Sequence, residues 1–142
     1  MAPQHLRTGQ QMRANPMSVE NIAAGRASAE HLARTWIETF NGHDLEQILS
    51  LYHDDLVLTS ELFINFSADK SSILRGKDEL RRYFGRALDR FPDLTFTLQG
   101  IFPGMGSVCV LYRTSARDHQ ACECMSFDQD GKITQVFAHY GH

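Results

Sequence analysis

At 142 residues, with 42% apolar and 22% charged residues, the chain has the make-up of one globular domain able to bury a core without disulfide or metal staples. A net charge of −3 excludes the basic footprint of a nucleic-acid or acidic-membrane binder. No apolar run approaches the ~20 residues of a membrane-spanning helix, and the first residues lack an apolar signal core, so cytoplasmic residence is the expectation.

Residues 1 to about 26 are polar, carry Pro3 and Pro16 and show no sustained periodicity, which predicts a mobile leader (1–26) before a single domain (27–142). From Ser28 the spacing turns helical, with Leu32, Trp36, Ile37 and Phe40 on one apolar stripe. The run NGHD breaks it. Asp44 followed by Gln47 has the spacing of a capping box opening a second helix, with Leu45, Ile48, Leu49 and Tyr52 on one face. HDD ends that helix, LVLTSELFI reads as a strand, NFSADKSS as a loop and ILRG as a short strand. A third helix from about Lys77 carries Leu80, Tyr83, Phe84, Ala87, Leu88 and Phe91, the cleanest stripe in the chain, and stops at Pro92 and Asp93. Four strands follow, LTFTLQGIF, VCVLYRTSA, ACECMSF and KITQVFAHY, separated by turns. This order predicts an α+β domain in which a cone-shaped, curved antiparallel sheet wraps three helices. Its one open mouth is the place for a small-molecule pocket.

Two residue sets bear on chemistry. Glu123 stands among residues of interiors in CECMSF. A carboxylate there faces water, pairs with a cation such as Arg113 of the preceding strand, or lies desolvated in a cavity, where its pKa rises. The cysteines, Cys109, Cys122 and Cys124, are odd in number and strand-borne, which predicts reduced, mostly buried thiols. Of the seven histidines, His43, His53, His119 and His139 fall in separate turns and strands, and none forms an i, i+4 helical pair. No metal site is expected.

Three strings, WIETFNGHDLEQILSLYHDDLVLTS, LRGKDELRRYF and FDQDGKITQVFAHY, resemble the nuclear transport factor 2-like superfamily, in its SnoaL-like and ketosteroid-isomerase-like branches. The resemblance runs from about Ala29 to Tyr140 and implies the cystatin-like α+β barrel. It is weakly specific for activity, because the same cone hosts isomerases, cyclases, hydrolases and non-catalytic binders. Ketosteroid isomerase uses an aspartate base with an oxyanion hole of a tyrosine and a protonated aspartic acid. Counting from the shared strings, the resemblance places the protonated acid on Glu123, the tyrosine on Trp36 and the base on Ser60. The base carboxylate is missing. Glu61 is adjacent, but a one-residue step in a strand turns a side chain to the opposite face.

With Glu123 facing the cone, Met125 and Phe127 share its side and Cys122 and Cys124 lie outside. The same alignment puts Thr134, Val136, Ala138 and Tyr140 inward, with Gln135, Phe137 and His139 outward. The expected site is therefore Glu123 as the catalytic acid–base group, with Trp36, Ser60, Tyr83, Phe84, Met125, Val136 and Tyr140 binding a small hydrophobic molecule. It needs no cofactor, and isomerase, cyclase or lyase chemistry is the implied type. The alternative is a non-catalytic binding or dimerising module of the same fold. Cys122, Cys124, Phe137 and Ile133 would make the outer sheet face apolar, which predicts a homodimer through that face.

Overall fold

The computed structural model describes residues 18–141, so the expected leader lies outside the described residues up to position 17. Helix α1 (Val19–Asn41) begins well before Ser28, and positions 19–26 are helical. Its first turn is capped by Ser18, whose hydroxyl accepts from the Asn21 N–H at 3.1 Å. Val19 and Ile22 are exposed there, so among the described residues this end packs on no core and has no buried stripe to reveal it. Further along, the expected residues Leu32, Trp36, Ile37 and Phe40 are buried.

Helix α2 (Leu45–Leu49) follows the Asp44 cap, whose carboxyl accepts from the Gln47 N–H at 3.2 Å. Tyr52 does not belong to that helix; it opens strand β1 (Tyr52–Thr59) and pairs with Ile133. ELFI is not strand. Ser60 accepts a hydrogen bond from the Leu62 N–H at 3.2 Å and turns the chain into a 3₁₀ helix, Glu61–Asn65, which buries Phe63. Strand β2 (Ile73–Arg75) and helix α3 (Lys77–Arg90) stand where the sequence places them. Gly76 joins them at φ 88° and ψ 156°, a conformation essentially reserved for glycine.

Strands β3 (Phe96–Pro103), β4 (Ser107–Thr114), β5 (His119–Phe127) and β6 (Ile133–Tyr140) complete a six-stranded, curved and unclosed sheet in the order β2-β1-β6-β5-β4-β3. The sheet is mixed, since β1 and β6 pair in parallel while every other pair is antiparallel. No hairpin joins β1 to β6, so nothing local in the sequence announces that pairing. Helix α1 packs across β3 and β4, and α3 packs against β1.

The strand parity holds along β5, where Ala121, Glu123 and Met125 are buried and Cys122 and Cys124 are only half-buried. Ile133 is the exception. Expected on the outer face, it is fully buried. Phe127 pairs with Ile133 but Ser126 pairs with Gln135, which leaves Thr134 as the extra residue of a bulge. The bulge resets the alternation, so Ile133 joins the core while Gln135, Phe137 and His139 stay outside.

Candidate functional site

Glu123 projects from the concave face of β5 between its strand neighbours Val110 and Ala138. It is 6% exposed. Burial pushes its carboxyl up to about 7, opposed by one hydrogen bond from Tyr112. That bond is short, with Tyr112 Oη donating to Glu123 Oε2 at 2.5 Å. Arg113 is not its partner. It lies on the exposed face of β4 and binds Asp118, Nε to carboxylate at 3.0 Å and Nη2 to the backbone carbonyl at 3.0 Å. Among the described residues no ion pair holds the charge, so desolvation decides the state of Glu123.

Tyr112 shares the interior face of β4 and sits diagonally from Glu123, because Val110 pairs with Glu123 and Tyr112 with Ala121. Its ring is fixed by Phe96 at 4.5 Å and by the edge of Trp36 at 5.4 Å. Tyr52, Tyr83, Tyr112 and Tyr140 are all four tyrosines of the chain. Each has its hydroxyl pKa raised, first by burial, and each also feels the charge of Glu123. Of the four, Tyr112 is the one hydrogen-bonded to the carboxyl among the described residues.

A cavity of about 470 Å³ opens between α3, the 3₁₀ segment and the sheet. Phe40, Leu58, Phe66, Phe84 and Phe96 supply apolar wall, while Ser60, Tyr83, Tyr112, Glu123 and Tyr140 supply polar groups. Five expected site residues therefore meet there: Glu123, Ser60, Tyr83, Phe84 and Tyr140. The Ser60 hydroxyl lies 3.4 Å from Tyr140 Oη. Three expected residues do not line the cavity. Trp36 is a core side chain, with Nε1 donating to Tyr52 Oη at 2.8 Å. Met125 and Val136 pair with one another two residues beyond the Glu123–Ala138 pair, and both are buried in the core. Among the described residues, no three His, Cys, Asp or Glu side chains converge as a metal site.

The family model for the SnoaL-like domain matches residues 33–136. The chain belongs to the SnoaL-like family. A SnoaL-like protein of unknown function from Burkholderia thailandensis E264 is 34% identical, with a TM-score of 0.77 over 82% of this chain and 97% of its own. A candidate ketosteroid isomerase from Kribbella flavida is 18% identical, with a TM-score of 0.61 over 82% of this chain and 80% of its own. The epoxide hydrolase/cyclase-like enzyme SalBIII, of pyran ring formation in salinomycin, is 13% identical, with a TM-score of 0.64 over 81% and 92% of the two chains. No curated protein matches.

In this SnoaL-like domain the hydrogen-bond donor to the buried acid is Tyr112, which the sequence reading passed over. The signal was present: in VCVLYRTSA the alternation that buries Val108 and Val110 also buries Tyr112. Tyr112→Phe removes the hydrogen bond that lowers the Glu123 pKa, so the carboxyl is expected to titrate higher still. It should also cost ~1–3 kcal/mol of stability, because a buried carboxyl loses its partner. Carboxyl-carbon NMR of the variant checks the first and urea unfolding the second; an unchanged titration would mean that the bond carries no weight.

Proposed function

We propose that this SnoaL-like domain performs cofactor-independent acid–base chemistry, of isomerase or cyclase type, on a small hydrophobic molecule bearing a carbonyl or hydroxyl group. The observation that carries this reading is a desolvated carboxyl at the cavity wall whose hydrogen bond comes from a phenol rather than a cation. With a pKa near neutrality both protonation states are populated, the condition under which one group serves as acid and base. The protonated form donates to a substrate oxygen. The ionised form, whose Oε2 accepts from Tyr112, takes a proton from carbon or hydroxyl and becomes the neutral acid. The Ser60–Tyr140 pair offers a second polar contact across the cavity. Family neighbours that include an isomerase candidate and a cyclase-like enzyme favour this reaction type by analogy. The test is hydrogen–deuterium exchange next to the carbonyl of apolar ketones in heavy water, followed by NMR. Wild type should exchange a subset of them and Glu123→Gln none; equal exchange in both would overturn the role of Glu123.

A second reading, a non-catalytic binding or dimerising module, is favoured by Ser60. It stands where the resemblance puts the isomerase base, and its hydroxyl caps the 3₁₀ helix. Retention of a small molecule in native mass spectrometry, with no exchange of any ketone, would select it.

We also propose a homodimer through the convex sheet face. One cross-strand row there runs Phe102, Cys109, Cys124, Phe137, and its end residues Phe102 and Phe137 are 61% and 44% exposed. Phe137→Asp is expected to shift sedimentation toward monomer, and a wild type monomeric at every concentration would contradict the dimer. No described helix is long and apolar enough to cross a membrane, and cytoplasmic residence remains a proposal.

A further inference from the structure

The cavity has a charged mouth that the acid–base reading does not use. Arg86 and Arg90 on α3 and Arg117 in the turn between β4 and β5 all line it, and among the described residues the one carboxyl in its lining is the buried Glu123. In a chain of net charge −3, this mouth has the opposite sign to the whole.

Among the described residues Arg34, Arg81 and Arg113 are each in an ion pair, whereas Arg86, Arg90 and Arg117, like Arg26, Arg75 and Arg82, are in none. What sets Arg86, Arg90 and Arg117 apart is their place at the cavity. Arg86 lies over the Phe66 ring at 5.2 Å and Arg90 over Phe91 at 5.6 Å, both rings being cavity wall. The aromatic faces brace the guanidinium groups while leaving their N–H forks unspent. Arg86 and Arg90 are also i, i+4 neighbours on one helix, an arrangement that like charges disfavour unless an anion joins them. The Arg117 charge reaches inward as far as the Tyr83 hydroxyl.

We propose that the ligand of this site is an amphipathic carboxylic acid, held by its carboxylate at Arg86, Arg90 and Arg117 while its apolar body extends inward to Glu123 and Tyr112. The inference rests on the small-molecule reading of the cavity and adds the class of molecule. Guanidinium groups pair with carboxylates through two parallel hydrogen bonds, and a water-facing mouth lets the anion stay solvated on its outer side. The apolar walls then order the molecule in one direction, anion out and reacting group in.

The probes are 1-pyrenebutyrate and its methyl ester, which share an apolar body and differ in charge. Binding is followed by fluorescence at about pH 6 in about 20 mM salt, where screening is weak. The carboxylate is expected to bind about tenfold more tightly than the ester, with the gap narrowing in about 0.2 M salt. In the combined variant Arg86→Gln, Arg90→Gln, Arg117→Gln the two probes should bind equally, at the affinity of the ester for wild type. These are exposed positions, and an unchanged melting temperature confirms that the variant is folded. Equal binding of both probes to wild type, or a gap that survives in the variant, overturns the arginine assignment and leaves the apolar cavity standing. Binding of neither probe overturns the cavity reading and this inference with it.

Discussion

Replacing Glu123 with glutamine should change how stability depends on pH and should remove turnover. The sign follows from the carboxyl titrating near 7 in the folded protein and near ~4.3 in an unfolded chain. Between those values the native state holds a proton that the unfolded chain has released, so wild-type stability falls as pH rises and levels off above the folded value. The total loss is roughly 4 kcal/mol by linkage. Glutamine has the same shape, does not titrate and still accepts from Tyr112. Urea unfolding at about pH 4, 6 and 8 should therefore find the variant gaining on wild type by up to roughly 3 kcal/mol between the lowest and highest pH, with more than half of the gain already present at about pH 6. Turnover on any substrate identified should fall by a factor on the order of 10²–10⁴. A variant destabilised chiefly at high pH would mean that a cation holds Glu123 ionised.

The second large effect belongs to Trp36. Trp36→Ala is expected to cost ~3–5 kcal/mol, because the side chain is fully packed and its removal leaves a cavity. Its indole touches the rings of Phe40 at 4.9 Å, Phe96 at 5.5 Å and Tyr112 at 5.4 Å, and its N–H is the donor to the buried Tyr52 hydroxyl. Trp36→Phe keeps most of the apolar area and loses that hydrogen bond, so it should cost less, ~1–2 kcal/mol. Both should also loosen the Tyr112 ring and with it the bond to Glu123, shifting the titration of a carboxyl that Trp36 never touches. Trp36 is the only tryptophan, so unfolding has to be followed by circular dichroism. A cost in Trp36→Ala below ~1 kcal/mol would contradict the packing described.

The architecture was largely legible because its signals are local and periodic. The stripe on α3, the Asp44 cap and the alternation in β5 each depend on a few neighbouring residues, and each appears where expected. What escaped depends on distant partners or on a single bond. The parallel β1–β6 pairing has no connecting turn, the bulge at Thr134 is one residue of register, and the 3₁₀ helix starts from one Ser60 hydroxyl.

At the site, parity identified Glu123, Tyr140 and the cavity side of β6, but could not say how deep along a strand the cavity reaches. Met125 and Val136 have the right face and the wrong depth. Trp36 occupies the position the resemblance assigned to a hydroxyl donor, yet the donor in reach of the acid comes from β4, across the sheet, as Tyr112. A role carried over by position fails when another element, here the neighbouring strand, can supply the same chemistry. The arginines were unreadable for a related reason: on a helix surface they are ordinary, and only the hairpin bearing Arg117 makes a mouth of them.

Direct titration of the Glu123 side-chain carboxyl by carbon-13 NMR, on protein labelled at glutamate and assigned with Glu123→Gln, bears on the central claim with the fewest intermediate steps. A midpoint near 7, well separated from the other glutamates, is the result expected of a desolvated acid at the cavity wall. A midpoint at the ordinary ~4.3 would show a solvated or cation-paired carboxylate and would remove the acid–base site.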